Sequence, residues 1–325
     1  MGGTAWPLGE PKPGNVPDDC PRSRKRGRGM TSAGARSHFD VVRPRSGAEA
    51  VRLKEAHGSG AWFWAGGTDL TLMWQRRQVS PITCIDLSAL SEFRDLKVDR
   101  HAIRIGALVT LADLERSAGK HGLLAVLSDV AKLMCTPQTR SIATVGGNLC
   151  NASPAADLSP CLVALDSEVR LLGPSGTRSL LLESFFAGVK RTTIGTAEMM
   201  TEVHISLPGP HLAVSYRRVA RTVVDIALVN ASSSLLLDDK KRVSRARVAL
   251  GAVAPVIIRS AEAESMLLGR PLGKIDDGLL EAVGQRASED ANPISDVRAG
   301  ADYRRKMVKV LVKRSIGDCV ARLGG

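Results

Sequence analysis

The chain has 325 residues, 44% hydrophobic, 24% charged and 3% aromatic, a composition that excludes general disorder and predicts two or three compact units. Its net charge of +12 is dispersed, since the first 37 residues carry seven Lys or Arg against three acids and leave +8 for the rest; with few aromatic platforms and no recognition-helix spacing, nucleic acid is not an expected partner. No apolar run approaches the ~20 residues of a membrane helix, and six cysteines without a Cys-x-x-Cys pair argue against a cluster ligated by this chain and suit a reducing cytoplasm.

Residues 1–37, rich in Gly, Pro, Arg and Ser, read as a flexible basic tail. From residue 38 the spacing predicts a strand over 39–42, a helix over 48–57 and a buried strand over 61–65, a β-α-β unit. After Gly66-Gly67, the positions Leu70, Met73, Trp74 and Arg77 fall at helical spacing, followed by a strand over 82–87. A strand over 101–107, a helix over 108–118 and a helix over 123–133, stopped before Pro137, continue the alternation. Gly173-Pro174-Ser175-Gly176 predicts a hairpin of strands 168–172 and 177–181. Beyond Pro208-Gly209-Pro210 come two long strands, 226–237 and 243–254, around Asp238-Asp239-Lys240-Lys241, then helices near 261–268, 278–291 and 302–323. The last shows an apolar stripe of Tyr303, Met307, Val310 and Leu311. Its basic residues Arg304, Arg305, Lys306, Lys309, Lys313 and Arg314 read either as a solvated face or as a docking surface for a partner. The implied division is a tail (1–37), two subdomains (38–100 and 101–210) and a C-terminal domain (211–325).

Nucleotide-binding and hydrolase signatures are absent: there is no G-x-G-x-x-G, no G-x-x-x-x-G-K-[ST], no H-E-x-x-H and no G-x-S-x-G. Two segments carry more glycine than folding requires, Ala65-Gly66-Gly67-Thr68-Asp69-Leu70 and Thr144-Val145-Gly146-Gly147-Asn148-Leu149. A glycine pair where an apolar run meets a polar turn lets backbone N–H groups approach an anion, and two such turns can grip a pyrophosphate from both sides. A single pair would be read as a tight turn and nothing more. In the first segment Thr68 or Asp69 is placed to cap the following helix, with the Asp69 carboxylate turned away from any phosphate. Ser159-Pro160 reads as N-cap and first position of another helix. Asp157, just before it, is placed either to cap that helix or to accept hydrogen bonds from a ribose or ribityl hydroxyl.

These ordered segments, together with Asn151-Ala152-Ser153-Pro154-Ala155-Ala156-Asp157, Asp225-Ile226-Ala227, Gly251-Ala252-Val253-Ala254-Pro255, Pro293-Ile294-Ser295-Asp296-Val297-Arg298 and Tyr303-Arg304-Arg305, resemble the flavin-binding medium subunit of the molybdenum hydroxylases. That family includes xanthine dehydrogenase and carbon monoxide dehydrogenase, and the similarity covers about residues 38–322. The resemblance implies an α+β chain with an FAD-binding fold of the para-cresol methylhydroxylase and vanillyl alcohol oxidase type, two α/β subdomains followed by a domain of antiparallel sheet and helices. It implies FAD contacts from Trp64, Ala65, Gly66, Gly67, Thr68, Asp69, Leu70 and Thr71 on one side and from Thr144, Val145, Gly146, Gly147 and Asn148 on the other. Asp157 would stand nearby, with looser matches at Met200 and Arg217, and Met134 would take a place beside the flavin ring that is aromatic in some relatives. No catalytic acid or base is implied, and no metal site. The implied role is electron relay through FAD, from a [2Fe–2S] small subunit served by a molybdenum-cofactor large subunit to an external acceptor. The alternatives are a self-contained FAD oxidase of the same fold and a flavin-free scaffolding subunit.

Overall fold

A computed structural model of the chain describes residues 39–324, so the expected basic tail lies outside the described residues. The chain begins with β1 (Asp40–Val42), α1 (Gly47–His57), β2 (Ala61–Trp64), α2 (Leu70–Gln75) and β3 (Thr83–Asp86). The three strands form a parallel sheet in the order β1-β3-β2, as the β-α-β rhythm requires, because parallel neighbours need a crossover helix. Ser46 caps α1 through the Glu49 N–H, and Ala50 and Val51 face the sheet beside Ile85 and Leu87. α2 stops before Arg77, whose φ of 57° leaves the helical region.

A second sheet, antiparallel, is assembled from β4 (Leu96–Val98), β5 (Ala102–Gly106), β6 (Glu168–Gly173), β7 (Gly176–Leu181) and β10 (Met199–Ser206) in the order β4-β5-β10-β6-β7. It already begins before residue 101, because β4 pairs with β5. Between β5 and β6 the chain makes five helices: α3 (Leu111–Arg116), α4 (Gly122–Leu133), α5 (Pro137–Arg140), α6 (Val145–Cys150) and α7 (Leu158–Ala164). α4 and α7 bury Leu124, Leu127, Leu158 and Leu162 completely against the inward face of the sheet, where Ile103, Ile105, Val169, Leu171, Val203 and Ile205 point. A short helix α8 (Leu182–Phe185) and a ribbon of β8 (Phe186–Gly188) with β9 (Arg191–Thr192) close this layer.

The third sheet runs β11 (Leu212–Val219), β12 (Val229–Leu237), β13 (Val243–Gly251), β14 (Ile258–Arg259), all antiparallel. α9 (Ala261–Ser265), α10 (Asp277–Asp290) and α11 (Ala301–Gly324) complete the chain. β12 is buried on both faces, with Ser233 bonded to Ser315 of α11 at 2.6 Å and Ser234 donating to the Ala164 carbonyl of α7 at 2.6 Å. The C-terminal sheet is thus sandwiched between its own long helix and the preceding half of the chain.

Three expectations shift here. β12 starts at Val229 rather than 226, β13 ends at Gly251 because Ala252 turns to φ 62°, and α7 begins at Leu158, ahead of Ser159-Pro160. The inward stripe of α11 is Arg304, Val308, Leu311, Val312, Ser315, Ile316 and Cys319, so of the expected four only Leu311 is buried, and Tyr303 is 46% exposed. The helix rotated because Arg304 is drawn inside by the carbonyls of Leu228 (2.6 Å) and Ala252 (3.2 Å) and by Asp296 (2.9 Å).

Candidate cofactor site

The first glycine segment leaves the end of β2 and enters α2. A Cβ on Gly66 would stand 1.9 Å from the Ile142 carbonyl oxygen, so only glycine lets this loop lie against the backbone of residues 142–143. Gly67 is left-handed (φ 67°), and a Cβ there would meet the Trp64 indole nitrogen at 2.2 Å. Trp64 stacks on Phe39 at 5.7 Å, and Phe39 meets Trp74 edge-on at 5.2 Å. Asp69 takes the N-cap position without a side-chain capping bond. Among the described residues, none of the backbone N–H groups of Gly66, Gly67, Thr68 and Asp69 donates a hydrogen bond within the chain. Four consecutive unsatisfied donors on a bend with one left-handed residue make a concave surface suited to an anion.

The second glycine segment is built differently. Thr144 caps α6, accepting from the Gly147 N–H at 3.1 Å, so Gly146-Gly147 is the first turn of a helix and not a bend. Its donors are committed inside the chain: Val145 to Val109 at 2.9 Å, Gly146 to Ala107 at 2.8 Å and Asn148 to Thr144 at 3.0 Å. Gly146 is needed for packing, because its Cβ would stand 2.7 Å from that of Ala107. What this segment leaves open is the Asn148 side chain, whose Oδ1 is buried without a partner. An orphaned buried acceptor calls for a donor from outside the protein.

Asp157 lies at the start of α7, 7% exposed, and does not cap it. It accepts from the Tyr216 hydroxyl and from Arg218 Nη1 at 2.9 Å, both on β11. Burial raises its pKa from the usual carboxylate value, against the hydrogen bonds and charge of these two neighbours, and burial together with Asp157 raises that of Tyr216. Strand alternation places Arg217 on the other face, paired with Asp318 of α11 through two 2.7 Å bonds. Arg218, one residue on, is the basic group that reaches Asp157.

Met134 and Met200 sit in the main hydrophobic core, 6% and 5% exposed. The residue that follows Met134 is the one near the polar groups: Cys135 (φ 53°) has its thiol pKa raised by burial and by the charges of Asp69 and Asp157. Ala152 and Ala252 are also left-handed, at φ 45° and 62°. Three non-glycine residues in this conformation, each costing about 1–2 kcal/mol, concentrate around the segment 151–157.

The motifs of the C-terminal third hold that segment. Ala252 N–H donates to the Pro154 carbonyl at 2.7 Å, Asn230 donates to the Ala156 carbonyl at 3.2 Å, and Asn292 N–H donates to the Val253 carbonyl at 2.9 Å. Asp296 ties Arg298 and Arg304 together; against burial that would raise it, their hydrogen bonds and charge hold its carboxyl well below the usual range. The stabilisation from this low pKa is complete above the unfolded value, about 3.9, and is lost as pH falls through that window. Urea unfolding should therefore show Asp296→Asn destabilised at pH 7 and converging on the parent below about pH 4. A constant difference across that range would contradict the pairing.

Of the basic residues on α11, Arg304 is internal, while Arg305, Lys309 and Lys313 pair with Asp302, Glu281 and Asp277. A docking surface there would rest on Lys306 and Arg314, both exposed. Among the described residues no three His, Cys, Asp or Glu side chains are grouped to hold a metal ion, and no helix is long and apolar enough to cross a membrane.

A family model described as the FAD binding domain in molybdopterin dehydrogenase matches residues 37–208, and one described as the CO dehydrogenase flavoprotein C-terminal domain matches residues 214–319. The carbon monoxide dehydrogenase medium chain of Hydrogenophaga pseudoflava is 30% identical over 284 residues, covering 87% of this chain and 98% of the relative. The xanthine dehydrogenase FAD-binding subunit of Escherichia coli O157:H7 is 27% identical over 281 residues, covering 86% and 94%. Among solved structures, a Hydrogenophaga pseudoflava carbon monoxide dehydrogenase lacking the Mo-pyranopterin moiety of its cofactor superposes with a TM-score of 0.83 at 29% identity, over 89% of this chain and 99% of that one.

Proposed function

Because the chain belongs to the FAD-binding medium-chain family of the molybdopterin dehydrogenases, we propose that it relays electrons through FAD, from the [2Fe–2S] clusters of a small partner subunit to an external acceptor. A molybdenum-cofactor large subunit would oxidise the substrate. FAD is its cofactor, and its activity is that of an oxidoreductase subunit. Bound FAD supplies a centre that takes up electrons singly or in pairs and so joins one-electron to two-electron partners.

The chain's own residues fit this cofactor. The unsatisfied N–H groups of Gly66 to Asp69 would receive the pyrophosphate, Asn148 Oδ1 would accept from a cofactor hydroxyl or N–H, and Asp157 would accept from a ribityl or ribose hydroxyl. Trp64, Ala65, Leu70 and Thr71 flank the first group, and Thr144 fixes the second by capping α6. The four free donors carry the reading, because nothing among the described residues accepts from them.

The purified full chain should take up one FAD and show flavin absorbance, and should reduce it only when its partner subunits and their substrate are added. A chain that stays colourless with added FAD, or whose flavin is reduced by an organic substrate without partners, overturns the proposal.

A further inference from the structure

Arg218 makes four hydrogen bonds beside this site. Its side chain is 7% exposed. Nη1 donates to Asp157 at 2.9 Å and to the Asp225 carbonyl at 3.4 Å; Nη2 donates to the Leu133 carbonyl at 3.0 Å and to the Val223 carbonyl. Leu133 ends α4 and leads into Met134 and Cys135, so two of the four acceptors belong to the cofactor-binding half of the chain. The other two belong to the loop between β11 and β12.

Between residues 220 and 226 that loop has little else to hold it, whereas Ala227 and Leu228 are buried and the Leu228 carbonyl is held by Arg304. Val223, Val224 and Ile226 are 72%, 55% and 40% exposed, the Arg221–Asp225 ion pair lies within the loop, and the Leu228 N–H reaches back only to Val219. A loop with so few buried contacts is ordered mainly by its anchors.

We infer that Arg218 is a positioning residue which aims the Asp157 carboxylate at the cofactor and, through the same guanidinium, ties the loop at 219–228 to the cofactor pocket, so that FAD occupancy and loop order are coupled. The inference rests on the FAD reading above. The planar fork explains why arginine is needed: it addresses four acceptors in fixed directions, whereas a lysine ammonium supplies the charge without the geometry. Without the charge, Asp157 would keep the Tyr216 hydroxyl and the Asn230 amide as polar neighbours, and burial would push its pKa further up.

The test uses the full chain carrying Arg218→Met or Arg218→Lys, with FAD affinity read by quenching of flavin fluorescence and loop order by hydrogen exchange over 219–228. In the parent, adding FAD should slow exchange of the loop. Arg218→Met should bind FAD about tenfold or more weakly and lose that slowing. Arg218→Lys should recover most of the affinity while its loop exchanges as in the Met variant. A Met variant that binds FAD like the parent, or a Lys variant whose loop is slowed by FAD as fully as the parent's, overturns the tie. The Lys variant keeps the buried charge, so it remains decisive if the Met variant does not fold. A parent that takes up no FAD instead overturns the cofactor reading itself.

Discussion

Gly66→Ala should purify without FAD and unfold in urea with a stability lower by about 3 kcal/mol, the upper part of the range for overpacking a tight site. The methyl group would be placed 1.9 Å from a backbone oxygen, that of Ile142, and 2.7 Å from its carbonyl carbon. A flexible side chain can rotate away from such a clash, but a carbonyl held between α5 and α6 cannot, since Ile142 and Ala143 N–H both bond to Thr139. Separating the two strands of backbone moves the four free N–H groups relative to Asn148, and both sets of cofactor contacts are lost together. FAD content per chain and a urea melt check both halves of the expectation. Retention of FAD at the parent level would mean that the approach of the two loops is not what forms the site.

The elements that local pattern specifies well are those whose turn chemistry lies inside the segment. The parallel unit around the first glycine loop, the hairpin at Gly173 to Gly176 and the strand pair flanking Asp238 all follow from spacing and turn residues. β10, which forms the middle of the second sheet, has no such signature, because a bulge between Met200 and Glu202 breaks the alternation that would reveal it. Met200, a looser match by resemblance, lies beside this bulge and packs in the core. Arg217, a looser match by resemblance, and Arg218, which reaches Asp157, are neighbours in the chain: in a strand a slip of one exchanges the faces, and only the register of β11 shows that Arg218 points inward while Arg217 meets Asp318. Asp157 itself stands out in the chain, but Tyr216 and Arg218 lie 59 and 61 residues away, and no local pattern specifies them. The two glycine pairs look alike as sequence and differ as structure, because Thr144 turns the second into a helix start whose donors are satisfied internally.

Arg304→Met should have the second large effect, a loss of about 2–6 kcal/mol, at about 1–3 kcal/mol for each of two buried carbonyls left unsatisfied. Arg304 is 2% exposed, and its removal strands the carbonyls of Leu228 and Ala252 and weakens the hold on Asp296, which keeps only Arg298. The consequence travels further than the helix. Ala252 is held left-handed with its carbonyl on Arg304 and its N–H on Pro154, so the same residue whose carbonyl loses its donor also positions the segment leading to Asp157. FAD affinity should therefore fall several-fold in Arg304→Met even though the substituted side chain touches no cofactor group. The control is Arg305→Met, which removes a half-exposed pair with Asp302 at 3.2 Å and should change stability by no more than about 0.5 kcal/mol. Equal effects of the two substitutions on FAD affinity would show that the path from α11 through Ala252 to Pro154 transmits nothing.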